Sequence, residues 1–112
     1  MNTGIKYYRI TNRDSKDKEP YSYTEAMRRV ATHGAHFIWC RERQTEWLIS
    51  QMDRKPIIVA PYDCELFGHW WYEGPEFIYY VLKKTALESK YLSLVTPSDY
   101  IDYYLISSMI YL

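Results

Sequence analysis

A carboxylate and a set of aromatic rings follow a strongly apolar segment in the middle of the chain. Asp63 comes soon after residues 57–60, IIVA, a continuous apolar run that consists mainly of β-branched residues. In α/β folds, reactive groups gather where strands end and loops begin. Aromatic faces stack on the C–H faces of sugars, while carboxylates and histidine bind the hydroxyl groups, so these residue types predict carbohydrate chemistry. The residues that accompany Asp63 are Tyr62, Phe67, His69, Trp70, Trp71 and Tyr72.

Asp63 suits the role of a general acid in this setting. Rings that remove water from a carboxyl group raise its pKa, and a raised pKa favours proton donation near neutral pH. An aspartate after a strand is also common as a turn or helix-capping residue. A pair of tryptophans is likewise common in cores and interfaces. The pattern by itself leaves these structural interpretations open.

Two further carboxylates and one set of metal-ligand residue types are present. Glu65 stands close to Asp63 in sequence, which favours a role in supporting the loop or binding a hydroxyl. Glu73 precedes Gly74 and is expected to favour the N-terminus of a helix. A zinc site is one interpretation of His33, His36 and Cys40, which fall at i, i+3 and i+7, but we favour a packed helix face. The sequence therefore predicts neither a metal nor a cofactor.

Length, composition and charge bound the class of protein. The chain has 112 residues, 47% hydrophobic and 25% charged, which fits at most one globular domain rather than a disordered segment. The 14 Lys and Arg balance the 14 Asp and Glu, so no net charge attracts nucleic acid or an anionic membrane. No apolar run approaches the roughly 20 residues of a membrane helix. Two cysteines and an N-terminus without an apolar signal segment predict a cytoplasmic protein.

The spacing of apolar residues predicts strands that alternate with helices. Gly34 is expected to end a first helix, although one long helix broken near Gly34 fits the same pattern. The alternation predicts a parallel sheet of an α/β fold, which forms an arc of a larger barrel or sheet. The predicted strands are 5–11, 57–60 and 92–95, and the predicted helices are 23–33, 36–52, 74–86 and 97–104.

Four stretches carry a more specific signal. The longest is PYDCELFGHWWYEGP at residues 61–75, and the others are GIKYYRIT at 4–11, KEPY at 18–21 and TPSDY at 96–100. In this order they resemble glycoside hydrolase family 57, and most closely its 1,4-α-glucan branching enzymes. The similarity covers about residues 4–104. One departure is Cys64, which stands where we expect a small residue such as alanine.

The resemblance implies a (β/α)7 barrel that acts on α-glucans by a retaining mechanism without a required metal. The aspartate of this motif is the family's general acid/base, a role that falls here on Asp63. Retention also needs a carboxylate nucleophile, and the family's nucleophile lies in a motif N-terminal to everything in this chain. The residues expected to shape the substrate cleft are Tyr62, His69, Trp70 and Trp71.

We therefore expect an α/β fold, a partial (β/α)7-type barrel segment with parallel strands and intervening helices at 1–104, followed by a divergent tail at 105–112. The leading hypothesis is a fragment or split subunit of a retaining enzyme that forms α-1,6 branches in a glycogen-type α-glucan. One alternative is part of an amylase or a 4-α-glucanotransferase. Another is a non-catalytic fragment that binds glucan or complements a second chain. The expected partners are an α-glucan and a chain that completes the barrel, with neither nucleic acid nor membrane.

Overall fold

Three α-helices make up most of the described structure. The computed structural model describes residues 4–10, 14 and 16–110, with side chains as far as Tyr104. The helices α1 and α2 pack against each other, and residues 52–73 connect them. The elements are α1 at Tyr23–Gln51, a single 3₁₀ turn at Cys64–Leu66, α2 at Gly74–Leu87 and α3 at Pro97–Ile110.

The first helix, α1, is unbroken over 29 residues. It begins after Ser22, whose hydroxyl accepts a hydrogen bond from the backbone N–H of Glu25 at 3.4 Å. The prediction of two helices that meet at Gly34 is wrong, and the alternative of one helix is right except that it has no break. A Cβ on Gly34 would lie 3.2 Å from the Cβ of Tyr80. Glycine therefore serves the close approach of α2 and does not end the helix.

Apolar burial is concentrated between α1 and α2. Val30 and Ile38 of α1 are 3% and 7% exposed. Phe37 of α1 meets Phe77 of α2 edge to face, with ring centroids 5.7 Å apart, an arrangement that adds about 0.5–1.5 kcal/mol beyond the burial of area. Thr85 is buried in α2, where its hydroxyl donates to a carbonyl of the preceding turn at 2.8 Å. This small core fixes the start of α2 and the loop before it.

The three predicted strands are absent from the described residues. Residues 57–60 and 92–95 lie outside regular secondary structure, although both segments line one groove with Phe37 and Val81. A parallel strand is stable when neighbouring strands hydrogen-bond to it and layers cover both of its faces. The described part of the chain supplies no such neighbours. Residues 57–60 and 92–95 therefore have the apolar composition of strands but do not form the hydrogen bonds of a sheet. The predicted partial (β/α)7-type barrel is not confirmed, because the described fold is helical.

The predicted strand at 5–11 forms a short pairing where the structure describes it. One isolated antiparallel bridge occurs, and backbone hydrogen bonds of 3.0 and 2.9 Å beside it join residues 7–9 to residues 19–21. Thr11, the last residue of this prediction, lies outside the described residues. The pairing lays the N-terminal segment alongside the start of α1.

The last helix, α3, begins where the sequence predicts and continues past the predicted end to Ile110. Thr96 and Asp99 cap it reciprocally. The N–H of Asp99 donates to the Thr96 hydroxyl at 3.2 Å, and the N–H of Thr96 donates to the Asp99 carboxylate at 3.0 Å. The hydrogen bonds that the Thr96 hydroxyl and N–H donate hold the pKa of Asp99 below its ordinary value.

The described structure is elongated. It measures 66 × 27 × 26 Å, and its radius of gyration is 19.0 Å, against about 13 Å for a compact domain of this length. The hydroxyls of Tyr100 and Tyr104 both donate to the Lys55 carbonyl, at 2.7 and 3.1 Å, and tie α3 to the segment after α1. Within the described ranges, no helix combines the length and the apolar character needed to cross a membrane.

Candidate functional site

The backbone of Asp63 starts the 3₁₀ turn that precedes α2. Its carbonyl accepts a hydrogen bond from the N–H of Leu66 at 3.0 Å, while its side chain makes no capping hydrogen bond. Asp63 is exposed. The turn interpretation therefore holds for the backbone, while the carboxylate makes no capping hydrogen bond and is accessible to solvent. The desolvation expected from the neighbouring rings is not provided by the described residues.

A line of aromatic contacts runs from the loop into the helical core. Tyr62 meets Phe67 edge to face at 5.7 Å between ring centroids. Phe67 lies 6.3 Å from Trp71, and Trp71 lies 4.9 Å from Phe77 of α2. Trp71 is half-buried in this line. Trp71 also lines a second groove with Trp70 and Tyr72, and its predicted place in the substrate cleft stays a prediction.

Trp70 differs from its neighbour because it is 73% exposed. His69 meets the Trp70 ring edge-on, with centroids 5.1 Å apart. Trp70 also lines an open groove with Tyr62 and Asp63, whereas His69 and Trp71 are outside that lining. Of the predicted site residues, the structure thus brings together Tyr62, Asp63 and Trp70. The other residues that line the groove are Pro61, Cys64, Glu65 and Leu66.

Backbone hydrogen bonds hold the loop in one shape. The N–H of Trp71 donates to the Leu66 carbonyl at 2.8 Å, and the Trp71 carbonyl accepts from Gly68 at 2.8 Å and from Gly74 at 3.0 Å. Gly68 has φ = 98°, a conformation that glycine adopts without strain. A Cβ on Gly74 would lie 2.7 Å from the Cα of Phe67. Both glycines are needed for this tight path.

The two other carboxylates have different surroundings. Glu65 lines the same groove as Asp63. Glu73 is 9% exposed and pairs with Lys6, whose Nζ lies 3.0 Å from Oε1. It occupies the N-cap position of α2, as its place before the helix predicts, but its side chain makes no capping hydrogen bond. Glu73 is therefore engaged in an ion pair with Lys6, in contrast to the exposed carboxylate of Asp63.

Burial and charge shift the pKa values around this ion pair. Burial by itself raises the pKa of Glu73, but the Lys6 ammonium, the residue's own backbone N–H and the Tyr21 hydroxyl outweigh it, so the pKa is lowered. Burial, and then the Glu73 carboxylate, raise the pKa of Tyr21. The buried Tyr21 hydroxyl forms no hydrogen bond of good geometry among the described residues, so its interaction with Glu73 is electrostatic.

Sequence reasoning missed Lys6, which the chain separates from Glu73 by 67 positions. No local spacing links the two residues. The signal that could have found them is chemical, because a glutamate beside the aromatic motif requires a cation once it is buried.

The predicted packed face on α1 is wrong for two of its three residues, because His33 and His36 are exposed and Cys40 is only half-buried. Cys40 Sγ lies 3.7 Å from a ring nitrogen of His36, and the His36 ring stacks on Trp39 with centroids 6.0 Å apart. His33 lines a different groove, near the N-terminal segment. Over the described ranges, no three metal-ligating side chains come together.

Comparisons with known proteins give the chain its relatives. No protein-family model matches it. It is 43% identical over 83 residues to the 1,4-alpha-glucan branching enzyme TK1436 of Thermococcus kodakarensis, a match that covers 72% of this chain and 12% of the relative. It is 38% identical over 99 residues to the probable 1,4-alpha-glucan branching enzyme Rv3031 of Mycobacterium tuberculosis, which covers 87% of this chain and 18% of the relative.

Solved structures agree with these relatives. The alpha-amylase AmyC of Thermotoga maritima matches with a TM-score of 0.84 and 46% identity, over 91% of this chain and 20% of that chain. The structure of TK1436, a family 57 branching enzyme in complex with glucose, matches with a TM-score of 0.79 and 37% identity. This match covers 88% of this chain and 18% of that chain. The chain therefore spans 12% to 20% of the length of the relatives it matches.

These matches show which class of protein the chain is related to: it is homologous to a segment of α-glucan-active glycosidases. The family is glycoside hydrolase family 57, and the chain is similar to its 1,4-alpha-glucan branching enzymes. The resemblance based on residues 61–75 is thereby confirmed. The roles of individual residues stay predictions that rest on the geometry of the loop.

Proposed function

We propose that the chain supplies the general acid/base of an α-glucan-active enzyme that forms α-1,6 branches in a glycogen-type polysaccharide. Asp63 protonates the glycosidic oxygen as the donor bond breaks. It then takes the proton from the acceptor 6-hydroxyl as that oxygen attacks the covalent glycosyl-enzyme. On this proposal the chain works in the cytoplasm, as its composition predicts.

The observation that carries the proposal is the groove shared by Asp63, Tyr62 and Trp70. The carboxylate is exposed at the mouth of a loop that backbone hydrogen bonds hold in place. The exposed Trp70 face offers a platform for a sugar ring beside it. A general acid needs this combination of access to the glycosidic oxygen and a bound sugar of fixed orientation.

A retaining reaction needs a second carboxylate at about 5–5.5 Å from the acid/base. Glu73 is held by Lys6, and Glu65 is expected to support the loop or bind a hydroxyl. We therefore propose that the nucleophile comes from a complementing polypeptide that completes the barrel. The open groove between residues 57–60 and 91–95, with Val59 68% and Leu94 53% exposed, gives such a polypeptide an apolar surface to cover.

Hydrolysis is the second candidate function, and the similarity to the alpha-amylase AmyC supports it. The chemistry at Asp63 is the same, but water replaces the sugar hydroxyl as the acceptor. Linkage analysis of the product separates the two, since branching creates α-1,6 linkages and hydrolysis creates reducing ends.

A chimera tests the proposal. Residues 4–104 replace the matched segment of the T. kodakarensis branching enzyme, and branching of amylose is followed by NMR of α-1,6 linkages. We expect Asp63→Asn to lower turnover by roughly 10²–10⁴-fold, the usual effect of removing a general acid/base. Asp102→Asn, which makes the same change at an exposed aspartate of α3 outside the groove, is the matched control and is expected to retain most of the activity.

Two results would overturn the proposal. Unchanged turnover in Asp63→Asn would exclude this residue as the acid/base. A folded chimera that binds glucan and turns over none, with Asp63 intact, would favour the alternative of a non-catalytic glucan-binding segment.

A further inference from the structure

We propose that Lys6 is a positioning residue: its ion pair with Glu73 fixes the loop that presents Asp63 and Trp70 to the glucan. The inference rests on the proposed function, because it assigns a role within the same site. Lys6 lies in the N-terminal segment, outside the aromatic motif at residues 61–75. Lys6 and Glu73 do not line the groove that contains Asp63 but line a neighbouring groove that shares Trp70 with it, so the role assigned to Lys6 is positioning.

The ion pair is well built. Lys6 Nζ lies 3.0 Å from Glu73 Oε1, and the two side chains are 20% and 11% exposed. The ammonium also lies over two tyrosine rings, 4.9 Å from the centroid of Tyr21 and 5.5 Å from that of Tyr72. Tyr21 and Tyr72 meet edge to face at 5.7 Å. A cation held by a carboxylate and two ring faces has few alternative positions.

This cluster joins three parts of the chain at one point. Lys6 belongs to the N-terminal segment, Tyr21 to the residues that lead into α1, and Tyr72 and Glu73 to the last residues before α2. The N-terminal segment is itself paired to residues 19–21 by backbone hydrogen bonds. The backbone of the N-terminal segment is therefore fixed to residues 19–21, and the Lys6 side chain is fixed to Glu73. Lys6 can thus hold the end of the loop against the start of α1.

A continuous set of backbone hydrogen bonds runs from Glu73 to Asp63. Gly74, next to Glu73, donates to the Trp71 carbonyl at 3.0 Å, and Trp71 donates to the Leu66 carbonyl at 2.8 Å. Leu66 in turn donates to the Asp63 carbonyl at 3.0 Å. A shift at Glu73 is therefore passed to the acid/base through the backbone. Small displacements of a reacting group cost turnover, up to about 10²-fold for 1 Å.

Two alternative roles make different demands. If Lys6 bound substrate directly, its loss would raise KM. If Lys6 served the fold as a whole, its loss would loosen α1 and α2 as well as the loop. Positioning predicts a lower kcat, an unchanged KM and a loosened loop between intact helices.

Hydrogen exchange on the complete 112-residue chain tests the structural half of this inference. We expect Lys6→Met to speed exchange at the amides of Leu66, Trp71 and Gly74 by about 10-fold, because their shared anchor is lost. The amides in the middle of α1 are expected to keep their rates. Lys6→Arg should restore protection of the loop, and the exposed Lys90→Met is the matched control. Equal acceleration in loop and helices would overturn the inference.

Kinetics in the chimera test the functional half. We expect Lys6→Met to lower kcat by roughly 10- to 100-fold with KM unchanged, and Lys6→Arg to recover most of the loss. An unchanged kcat in Lys6→Met, in a chimera that Asp63→Asn inactivates, overturns the positioning role and leaves the proposed function standing. Activity that survives Asp63→Asn overturns the proposed function, whereas the exchange result for Lys6 is judged independently.

Discussion

A Cβ placed on Gly34 of α1 would lie 3.2 Å from the Cβ of Tyr80 on α2. The two helices that frame the candidate site therefore approach each other closely at a position without a side chain. The buried Val30 and Ile38 lie one turn to either side of this glycine. The spacing of the helix pair, and with it the place where the loop enters α2, depends on that contact.

Filling this position is expected to weaken the fold. Gly34→Leu forces apart two packed helices and should lower the free energy of unfolding by roughly 1–3 kcal/mol, the usual effect of overpacking. Urea unfolding of the 112-residue chain, followed by circular dichroism, measures it. Gln44→Leu, at an exposed position of the same helix, should change stability by less than about 0.5 kcal/mol. Equal losses in both variants would contradict the close contact.

Trp70 is expected to bind glucan without stabilising the chain. Since 73% of it is exposed, Trp70→Ala should weaken binding by about 2- to 10-fold, the equivalent of one aromatic contact, and leave unfolding unchanged. Affinity electrophoresis in gels that contain glycogen measures the binding. Trp39→Ala, which removes a 56% exposed ring from α1, is the control. A similar loss of binding in both variants would argue against a platform at Trp70.

Gly68 is expected to be required for the shape of the loop. Its φ of 98° disfavours any side chain, and an added Cβ would lie 3.4 Å from Cγ of Pro75. Gly68→Ala should therefore cost about 1–3 kcal/mol of backbone strain and weaken glucan binding. Gly4 also has a positive φ, of 69°, but its Cβ would meet nothing within 4 Å. If Gly4→Ala weakened glucan binding as much as Gly68→Ala, the role of the loop would be refuted.

The Lys6–Glu73 ion pair is expected to make stability depend on pH. The pKa of Glu73 in the folded chain is lowered below its ordinary value of 4.5. Its contribution is thus fully present above pH 4.5 and is lost as the pH falls through the lowered pKa. Glu73→Gln should remove that part of the acid dependence and, by leaving Lys6 without its partner, lower stability at pH 7 by about 1–3 kcal/mol. Unfolding curves at a series of pH values from about 3 to 7 measure both effects. Identical pH profiles for the wild-type chain and Glu73→Gln would contradict a contribution of the ion pair to stability.

Several local features could be predicted because nearby residues determine them. Reciprocal hydrogen bonds between Thr96 and Asp99 start α3 where the sequence indicates, and a proline in its first turn starts α2 after Glu73. The motif at 61–75 indicated the family in the same way, since its residues are consecutive. The strand expected just before Asp63 is absent from the described residues, so its predicted place at a strand end is not confirmed.

Other features depend on residues that are far apart in the chain. Gly34 looks like a helix terminator until Tyr80 packs against it. Trp70 and Trp71 look equivalent until contact with the ring of Phe77 leaves Trp71 half-buried and Trp70 exposed. Residues 57–60 have the composition of a buried strand, but a strand also needs neighbours that hydrogen-bond to it. The sequence by itself indicated the family and the residues at which α1, α2 and α3 begin, whereas the helix start that it predicted at residue 36 is wrong. The tertiary structure decided that α1 is continuous, that Trp70 meets solvent and that Lys6 holds Glu73, because packing and charge pairing join residues that no local spacing connects.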